Sequence, residues 1–539
     1  MASTEKMEKT FGIDLGTTHS CIAYVDETGK PVIVRNMLGE DTTPSVVYFP
    51  QREQVVVGTS AKDAAILAPH LVAQLTKRLM GREKIAGRYH GREYSPEEIS
   101  ALVLRELVQS TRDATGMTVR DVVITVPAYF GVAEKEAARR AGEIAGLNVL
   151  DVLAEPVAAA LHYQTVEKDA GTRHVLVCDL GGGTFDTTVI RLEGDDVRVV
   201  CTDGDPRLGG ADWDAEIRQY LLDAFAAQHP RLDPTADEEF MQDLQKTAEQ
   251  AKKELSRIMT RKVDLRFAGA VARTELTRAK LEELTAGLLD RVVEITERTI
   301  ALAKRKGVDH FDDTVLVGGM SKMPAISARL SERLGLAPRH HEPDLAVAKG
   351  AALFALLHRA RNGITAQVAD QLNLSEEQVS SLAAKKVTTV LPRAFGVKAV
   401  DTRDPLAMTN PMKARQMIAH LLPANTPLPA DSGPYPFAVA VNNQRMVEIE
   451  VWEQTSPHES DELTDNALVG RGMLRNLPPR PAGSPFDVTF FMSETGKLTV
   501  HAEEPTSGAQ VRFDLQIGGM DQAAVDKARA GIARHDVRG

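Results

Sequence analysis

Only three cysteines occur in 539 residues, at Cys21, Cys178 and Cys201, with no Cys-x-x-Cys pair and no histidine cluster. That scarcity excludes a disulfide framework and a zinc site, and fits a reducing compartment. The sequence has no apolar run near the ~20 residues that span a bilayer. Its start, Met1 to Lys9, is polar and lacks the apolar centre of a signal peptide. It also lacks an excess of positive charge. The 64 Lys and Arg against 75 Asp and Glu give a net charge of −11, which argues against nucleic acid or an anionic membrane as partner. Basic runs such as Lys304-Arg-Lys306 are short and read as solvated helix faces. The expectation is a soluble cytoplasmic protein.

What is present is enough apolar residue for sizeable cores, 43% of the chain, and a length that suits roughly three to five domains. Residues 11–360 alternate apolar runs with amphipathic helices, the pattern of an α/β architecture. Strands are expected at Val122 to Val126, Val175 to Cys178 and Thr314 to Val317, and helices at Pro96 to Thr115 and Ala133 to Ala145. Leu244, Ala248, Ala251, Leu255 and Ile258 recur at helical spacing and predict a helix over Met241 to Ile258. Residues 1–10 read as a disordered tail. The segment 361–386 is polar and reads as a linker with one short helix, opened by the capping box Ser375-Glu-Glu-Gln378. Residues 387–519 carry short strands between Pro, Gly and Asn turns: Phe437 to Val441, Met446 to Trp452, Phe486 to Phe491, Leu498 to Ala502 and Val511 to Ile517. Residues 520–539 hold one helix, Asp521 to Ala533.

Two stretches echo each other. Phe11-Gly-Ile-Asp-Leu-Gly-Thr-Thr18 and Leu176-Val-Cys-Asp-Leu-Gly-Gly-Gly-Thr184 each run an apolar strand into an aspartate and a Gly/Thr turn, then into another apolar strand. Free backbone N–H groups in such a turn attract phosphate. The neighbouring carboxylate repels it unless a divalent cation or its waters intervene. One copy would be an ordinary turn; two copies about a domain apart suggest two lobes clamping a metal–phosphate group. A third turn, Gly318-Gly319, has no aspartate beside it and suits a nucleoside. Glu155 opens the apolar helix Val157 to Tyr163 beside Pro156, where the helix dipole alone would explain a glutamate. By itself, Lys77 reads as a solvated lysine.

Together the residues carry a resemblance. Phe11-Gly-Ile-Asp-Leu-Gly-Thr-Thr-His-Ser20, Val126-Pro-Ala-Tyr-Phe130, Ala145-Gly-Leu-Asn-Val-Leu150, Cys178-Asp-Leu-Gly-Gly-Gly-Thr-Phe-Asp186 and Val315-Leu-Val-Gly-Gly319 resemble the seventy-kilodalton heat-shock chaperones, the DnaK-type family. The match runs in register over about residues 10–358. It continues more weakly through Leu468-Val-Gly-Arg471, Leu477-Pro-Pro-Arg-Pro-Ala-Gly483 and Gly496-Lys-Leu-Thr-Val-His-Ala502, which look like that family's peptide-binding β-domain.

The resemblance implies an α/β, actin-like, two-lobed ATPase domain followed by a mostly β substrate-binding domain. It implies Mg2+ with ATP or ADP as cofactors, the cation held largely through water by Asp14, Glu155 and Asp179. Gly16, Thr17, Thr18 and Gly181, Gly182, Gly183, Thr184 would grip the phosphates, with Lys77 positioning the attacking water and Thr184 orienting the γ-phosphate. Glu155 and Asp179 join them as catalytic candidates. Glu249, Lys252, Lys253 and Ser256 on one helix would contact the adenosine opposite Gly318, Gly319, Lys322 and Asp344. Lys253 and Lys322 stand where arginines usually flank the adenine, and lysine stacks less well on a planar ring. His19 replaces a usual aromatic or asparagine. A weaker grip on the base is expected.

Departures cluster where the ATPase meets its partners. Asp151 stands at a basic position that meets a J-domain co-chaperone, and like charges oppose binding. Ala154, Val157, Lys135 and Gly131-Val132 alter the relay between peptide and nucleotide. The family's Leu-rich linker is replaced by Lys385-Lys-Val-Thr-Thr-Val390. Asp401 to Ala419 reads as an insertion in a peptide-cradling loop, and the helical lid is expected to be missing beyond its first turns, which would speed peptide exchange. Phe437, Val439 and Val447 are peptide-pocket candidates, and equally ordinary β-core residues.

Three functions are open at this point. One is an ATP-dependent chaperone binding unfolded or extended apolar peptide as an added strand, with a slow ATPase and with J-domain and nucleotide-exchange partners in question. Another is an ATP-binding scaffold for one fixed partner. The third is an actin-like small-molecule kinase, which the C-terminal β-domain argues against.

Overall fold

A computed structural model describes residues 9–515 and 520–539, apart from 83, 167–170, 195, 362–364, 373–374, 385 and 408. The expected N-terminal tail falls almost entirely outside the described residues. Ile517, the expected end of the last β-domain strand, also lies outside them.

Two sheets of the same topology organise residues 10–361. In lobe I the order is Asn148–Ala154, Asp121–Val126, Thr10–Asp14, His19–Val25, Pro31–Val34. The first three strands are parallel and the last two run antiparallel as a meander. Lobe II repeats it with Pro338–His340, Asp313–Val317, Arg173–Leu180, Phe185–Glu193 and Asp196–Asp205. Each echoed motif is therefore the hairpin at the centre of its sheet.

Between the lobes lie the helices Glu155–Val166 and Ala346–Arg361. Both are apolar nearly all round, as helices buried on every side must be. Their approach is set by glycine: a Cβ on Gly350 would overlap the Ala158 carbonyl, and one on Gly12 would meet the backbone of Ala351 and Ala352. The lobes thus meet at a tightly packed seam.

The predicted helix over Met241 to Ile258 is the helix Glu238–Leu255. It stops short because Ser256 and Arg257 turn the chain into the strand Thr260–Phe267, leaving Ile258 exposed. Among the described residues of 361–386 lie two helices, Thr365–Leu372 and Glu376–Ala383, where one was expected. Val368, Ala369 and Val379 share a core with Cys21, Ala23 and Ala348 of lobe I and the seam. Val387–Thr388 then adds a parallel edge strand to lobe II, beside Val197–Arg198.

The β-domain is two facing antiparallel sheets. One is Gln416–Leu422, Phe395–Val400, Met446–Gln454 and Asn466–Arg475. The other is Ala430–Asp431 and Tyr435–Ala438 against Pro485–Met492, then Leu498–Glu504 and Ala509–Leu515. Phe395, Val451, Val488, Phe490 and Val500 fill the space between them. Gln416 opens a strand, so the loop within the stretch expected as an insertion is residues 401–415. It is a compact loop closed by Asp401–Arg415 and tied by Arg403 and Arg415 to Asp461.

This domain is seated on lobe I. Arg393 donates to Glu134 Oε1 at 2.9 Å and Oε2 at 3.3 Å and to the Tyr129 carbonyl at 3.1 Å, with Glu453 at 3.8 Å. All three charged side chains are about 5% exposed or less. The C-terminal segment, expected as the first turns of a lid, returns to lobe I. The helix Gln522–Ile532 buries Val525, Ala528 and Ile532 in the lobe I core. Asp536–Arg538 extends the lobe I strand Gln54–Val57 in parallel. Tyr94 and His535 join side chains at 2.9 Å, and Arg105 donates to the Ile532 and His535 carbonyls. Among the described residues no helix is long and apolar enough to cross a membrane.

Candidate functional site

The two echoed turns face each other at the floor of the cleft. In lobe I, Asp14 ends one strand and His19 begins the next. The turn between them is braced by Ser45, whose hydroxyl donates to the Gly16 carbonyl at 2.8 Å, and by Ser20, which accepts from the Gly16 N–H at 3.1 Å. In lobe II the turn Gly181–Thr184 closes on itself, Gly181 N–H to Thr184 carbonyl at 3.1 Å. A second glycine loop lies directly against it: Gly210 and Ala211 N–H groups donate to the Gly181 and Gly182 carbonyls, and a Cβ on Gly209 would strike the Gly183 backbone. Across the cleft, a Cβ on Gly182 would collide with the Thr18 side chain, and one on Gly183 with Thr17. The glycines are what let the two turns meet.

Every expected nucleotide-site residue except Gly183 lines one cavity of about 930 Å3. Lys77 and Glu155 form a buried ion pair at 2.6 Å, so Lys77 is not the solvated lysine its sequence surroundings suggested. Asp14 accepts from Thr125 Oγ1 at 3.1 Å. Burial first, then the Glu155 charge, push the Asp14 carboxyl up to about 7 and Asp179 well above the usual range. Asp186 is raised to about 8 by the same two causes. It pairs in register with Asp179, accepts from the Tyr129 N–H at 3.0 Å, and leaves Oδ2 without a hydrogen-bond partner. Sequence reasoning quoted Asp186 in a motif without giving it a role; its place at the same strand level as Asp179 was the missed signal.

Such a concentration of carboxyls, partly offset by Lys77, suits a divalent cation. Among the described residues no three acidic, His or Cys side chains converge into a direct ligand set. The donor set therefore fits a hydrated cation, with Asp14, Glu155 and Asp179 reaching it through water.

On the side expected to take the nucleoside, Gly318 (φ 82°) turns under Leu180 and Asp179, where a Cβ would meet both, and Lys322 pairs with Asp344. Glu249 sits between Lys62 at 2.7 Å and Lys253 at 2.6 Å. Those two ammonium groups overcome its burial and hold its carboxyl at about 2. Lys62 belongs to lobe I, so this pair bridges the cleft mouth, as does Lys246–Asp63 at 2.8 Å. Lys252 is turned away from the nucleoside side to the Gly210 carbonyl and Asp214, both at 2.7 Å. The Ser256 hydroxyl donates to the Lys252 carbonyl. Burial and the nearby Lys62 push the His19 ring down to about 4, leaving it neutral.

The peptide candidates do not form an open pocket. Val439 is in the β-domain core, Val447 packs against it, and Phe437 stacks on Phe486 with ring centroids 5.9 Å apart. Phe437 and Val447 lie on strands whose alternation turns them to the core side, and Val439 follows directly after Tyr435–Ala438. By contrast, Gly131, Val132, Lys135, Asp151, Ala154 and Val157 all line a second cavity of about 870 Å3, where both lobes and the β-domain meet.

The model of the family described as Hsp70 protein matches residues 10–530. The chain belongs to the Hsp70 family. It is 37% identical over 541 residues to the Chaperone protein DnaK of Deinococcus radiodurans, covering 95% of this chain and 79% of that one. The resemblance read from the motifs is thereby borne out. Hsp70 membership supports a chaperone function and ATPase activity in general terms, and accounts for a two-lobed α/β domain followed by a β-rich one.

Proposed function

We propose that this Hsp70-family chain binds Mg·ATP in the cleft, hydrolyses it slowly, and binds extended apolar peptide on its β-domain. The observation that carries the ATPase reading is the buried Lys77–Glu155 pair, set among Asp14, Asp179 and Asp186 where two glycine turns face each other. Mg2+ would supply charge neutralisation of the phosphate oxygens. The chain's own residues position and exclude. Backbone N–H groups of Thr17, Thr18 and Gly182 to Thr184 hold the phosphates, while those of Gly16 and Gly181 brace the turns through Ser20 and Thr184. Lys77, fixed by Glu155, holds the attacking water, and Thr184 orients the terminal phosphoryl group. Work of this kind is positioning and charge stabilisation, not covalent catalysis. The base would rest between the Glu249–Lys253 and Lys322–Asp344 pairs, with neutral His19 below. Lysines held by carboxylates stack poorly on a purine, which supports a looser grip on adenine.

Lys77→Ala should remove ATP turnover while leaving ATP binding in place, because Lys77 serves the water and not the turns; undiminished turnover would reject the assignment.

One observation favours a second reading, an ATP-binding scaffold with little coupling. The β-domain is attached through the buried Arg393 cluster, and residues 520–538 complete the lobe I core. ATP turnover with and without an unfolded client and a J-domain protein separates the two: stimulation supports the chaperone, and tight ATP binding without stimulation supports the scaffold. J-domain and exchange-factor partnership belongs to this proposal and is tested by the same measurement.

A further inference from the structure

Beside the water-positioning lysine stands a residue that no motif singled out. Arg78 follows Lys77 on the one-turn helix Thr76–Leu79 of lobe I, launched from Leu75 in a left-handed conformation (φ 59°). Lys77 turns toward Glu155 at the start of the helix between the lobes, while Arg78 crosses the cleft. Its Nε donates to the Gly183 carbonyl at 2.9 Å, and its two terminal nitrogens grip Asp212 at 2.6 and 3.2 Å. Asp212 is itself fixed, accepting from the Gly209 N–H at 2.8 Å at the start of the helix Gly210–Gln228. Arg78 is mostly buried, with 18% of its side chain exposed.

The geometry points to Arg78 as a positioning residue for hydrolysis, which fixes the phosphate turn of lobe II only when the cleft is closed. Three facts combine. The peptide unit is planar and trans, so its C=O and N–H point in opposite directions. A guanidinium holding the Gly183 carbonyl therefore sets the direction of the Thr184 N–H, on the other end of that same unit. Asp212 opens the helix whose first residues brace Gly181 and Gly182, so one side chain touches both glycine loops. Finally, Arg78 is the chain neighbour of Lys77. The lobe that places the water and the lobe that holds the phosphate are thus registered through adjacent residues. A planar fork suits this better than an ammonium: the guanidinium sends parallel donors to both Asp212 oxygens and a third to the Gly183 carbonyl, whereas the three donors of a lysine radiate from one atom.

This inference rests on the ATP-site reading above, and its test is chosen to separate the two. Single-turnover hydrolysis of bound ATP, the release rate of a fluorescent ADP analogue and thermal unfolding are measured on the full chain for Arg78→Ala, Arg78→Lys and Asp212→Asn. Misplacement of reacting groups by about an ångström costs about 100-fold, so Arg78→Ala should slow hydrolysis of bound ATP about 10–100-fold and speed ADP release. Arg78→Lys should recover only part of the rate, and Asp212→Asn should fall between. ATP affinity should change less than the hydrolysis step, a split that a general loss of stability would not produce. Wild-type hydrolysis and ADP release in Arg78→Ala would overturn the inference. If that variant fails to fold, a full wild-type rate in Arg78→Lys overturns it instead. If the wild-type chain binds ATP without hydrolysing it, the ATPase reading fails while the ADP release rates still decide whether Arg78 latches the cleft.

Discussion

Replacing Arg393 by leucine strands two carboxylates. Glu134 and Glu453 are each about 5% exposed or less, and the Arg393 guanidinium lies 2.9 Å from one and 3.8 Å from the other. The nearer contact holds the Glu134 carboxyl below its usual range. Burial outweighs the farther one and pushes Glu453 up to about 7. Removing one partner of a buried pair costs about 3–5 kcal/mol, because the remaining charge is left unpaired. Here lobe I and the β-domain can separate and let water reach both carboxylates, so the loss appears first in docking. At about 1.4 kcal/mol per tenfold, Arg393→Leu should weaken docking by about 100-fold or more. The triple change Arg393→Leu, Glu134→Gln, Glu453→Gln should return close to wild type, since neutral groups replace the whole cluster.

The pH dependence has a definite sign. Glu453 binds its proton more tightly docked than free, so docking takes up a proton between about 4.5 and 7. The penalty of burying its charge is absent below about 4.5 and complete above about 7, where it reaches about 3 kcal/mol. Docking should therefore weaken as pH rises through that window, and Glu453→Gln should flatten the dependence. The three cysteines are buried, so labels on Arg52→Cys and Thr506→Cys, exposed positions on lobe I and the β-domain, can report the distance. Unchanged docking in Arg393→Leu, or a triple variant no better than the single one, would refute the reasoning.

Gly182→Ala places a methyl against the Thr18 side chain. Overpacking of about 1–3 kcal/mol should hold the lobes apart and weaken ATP binding about 10–100-fold by calorimetry, with little effect on Tm. Ile532, 1% exposed in the lobe I core, should cost about 2–5 kcal/mol of stability when changed to Ala. Denaturant unfolding should show this as destabilisation of lobe I; an effect confined to the β-domain would contradict the packing.

The site was legible where chemistry is written in consecutive residues. Asp14 and Asp179 with their Gly/Thr turns appear as short runs, because a tight turn beside a carboxylate must be built locally. Lys77 and Glu155 were visible only through resemblance, since each has an adequate bland explanation until the fold brings them to 2.6 Å. Arg78, Asp212 and Lys62 carried no signal, because their partners lie more than a hundred residues away in the chain. Likewise Val439 and Val447 look the same as pocket or core until the strands choose which face points inward.

The sequence by itself determined the paired glycine turns, the α/β then β order of the chain, and the family to which it belongs. The first two follow from local periodicity and from spacing within one turn, and the third from a run of motifs that resembles the family. Only the tertiary structure decided that the turns meet through glycine, that Arg393 is buried between two glutamates, and that the last residues finish lobe I. Those outcomes depend on which distant surfaces close on each other, and residues far apart in the chain carry no mark of that until burial selects it.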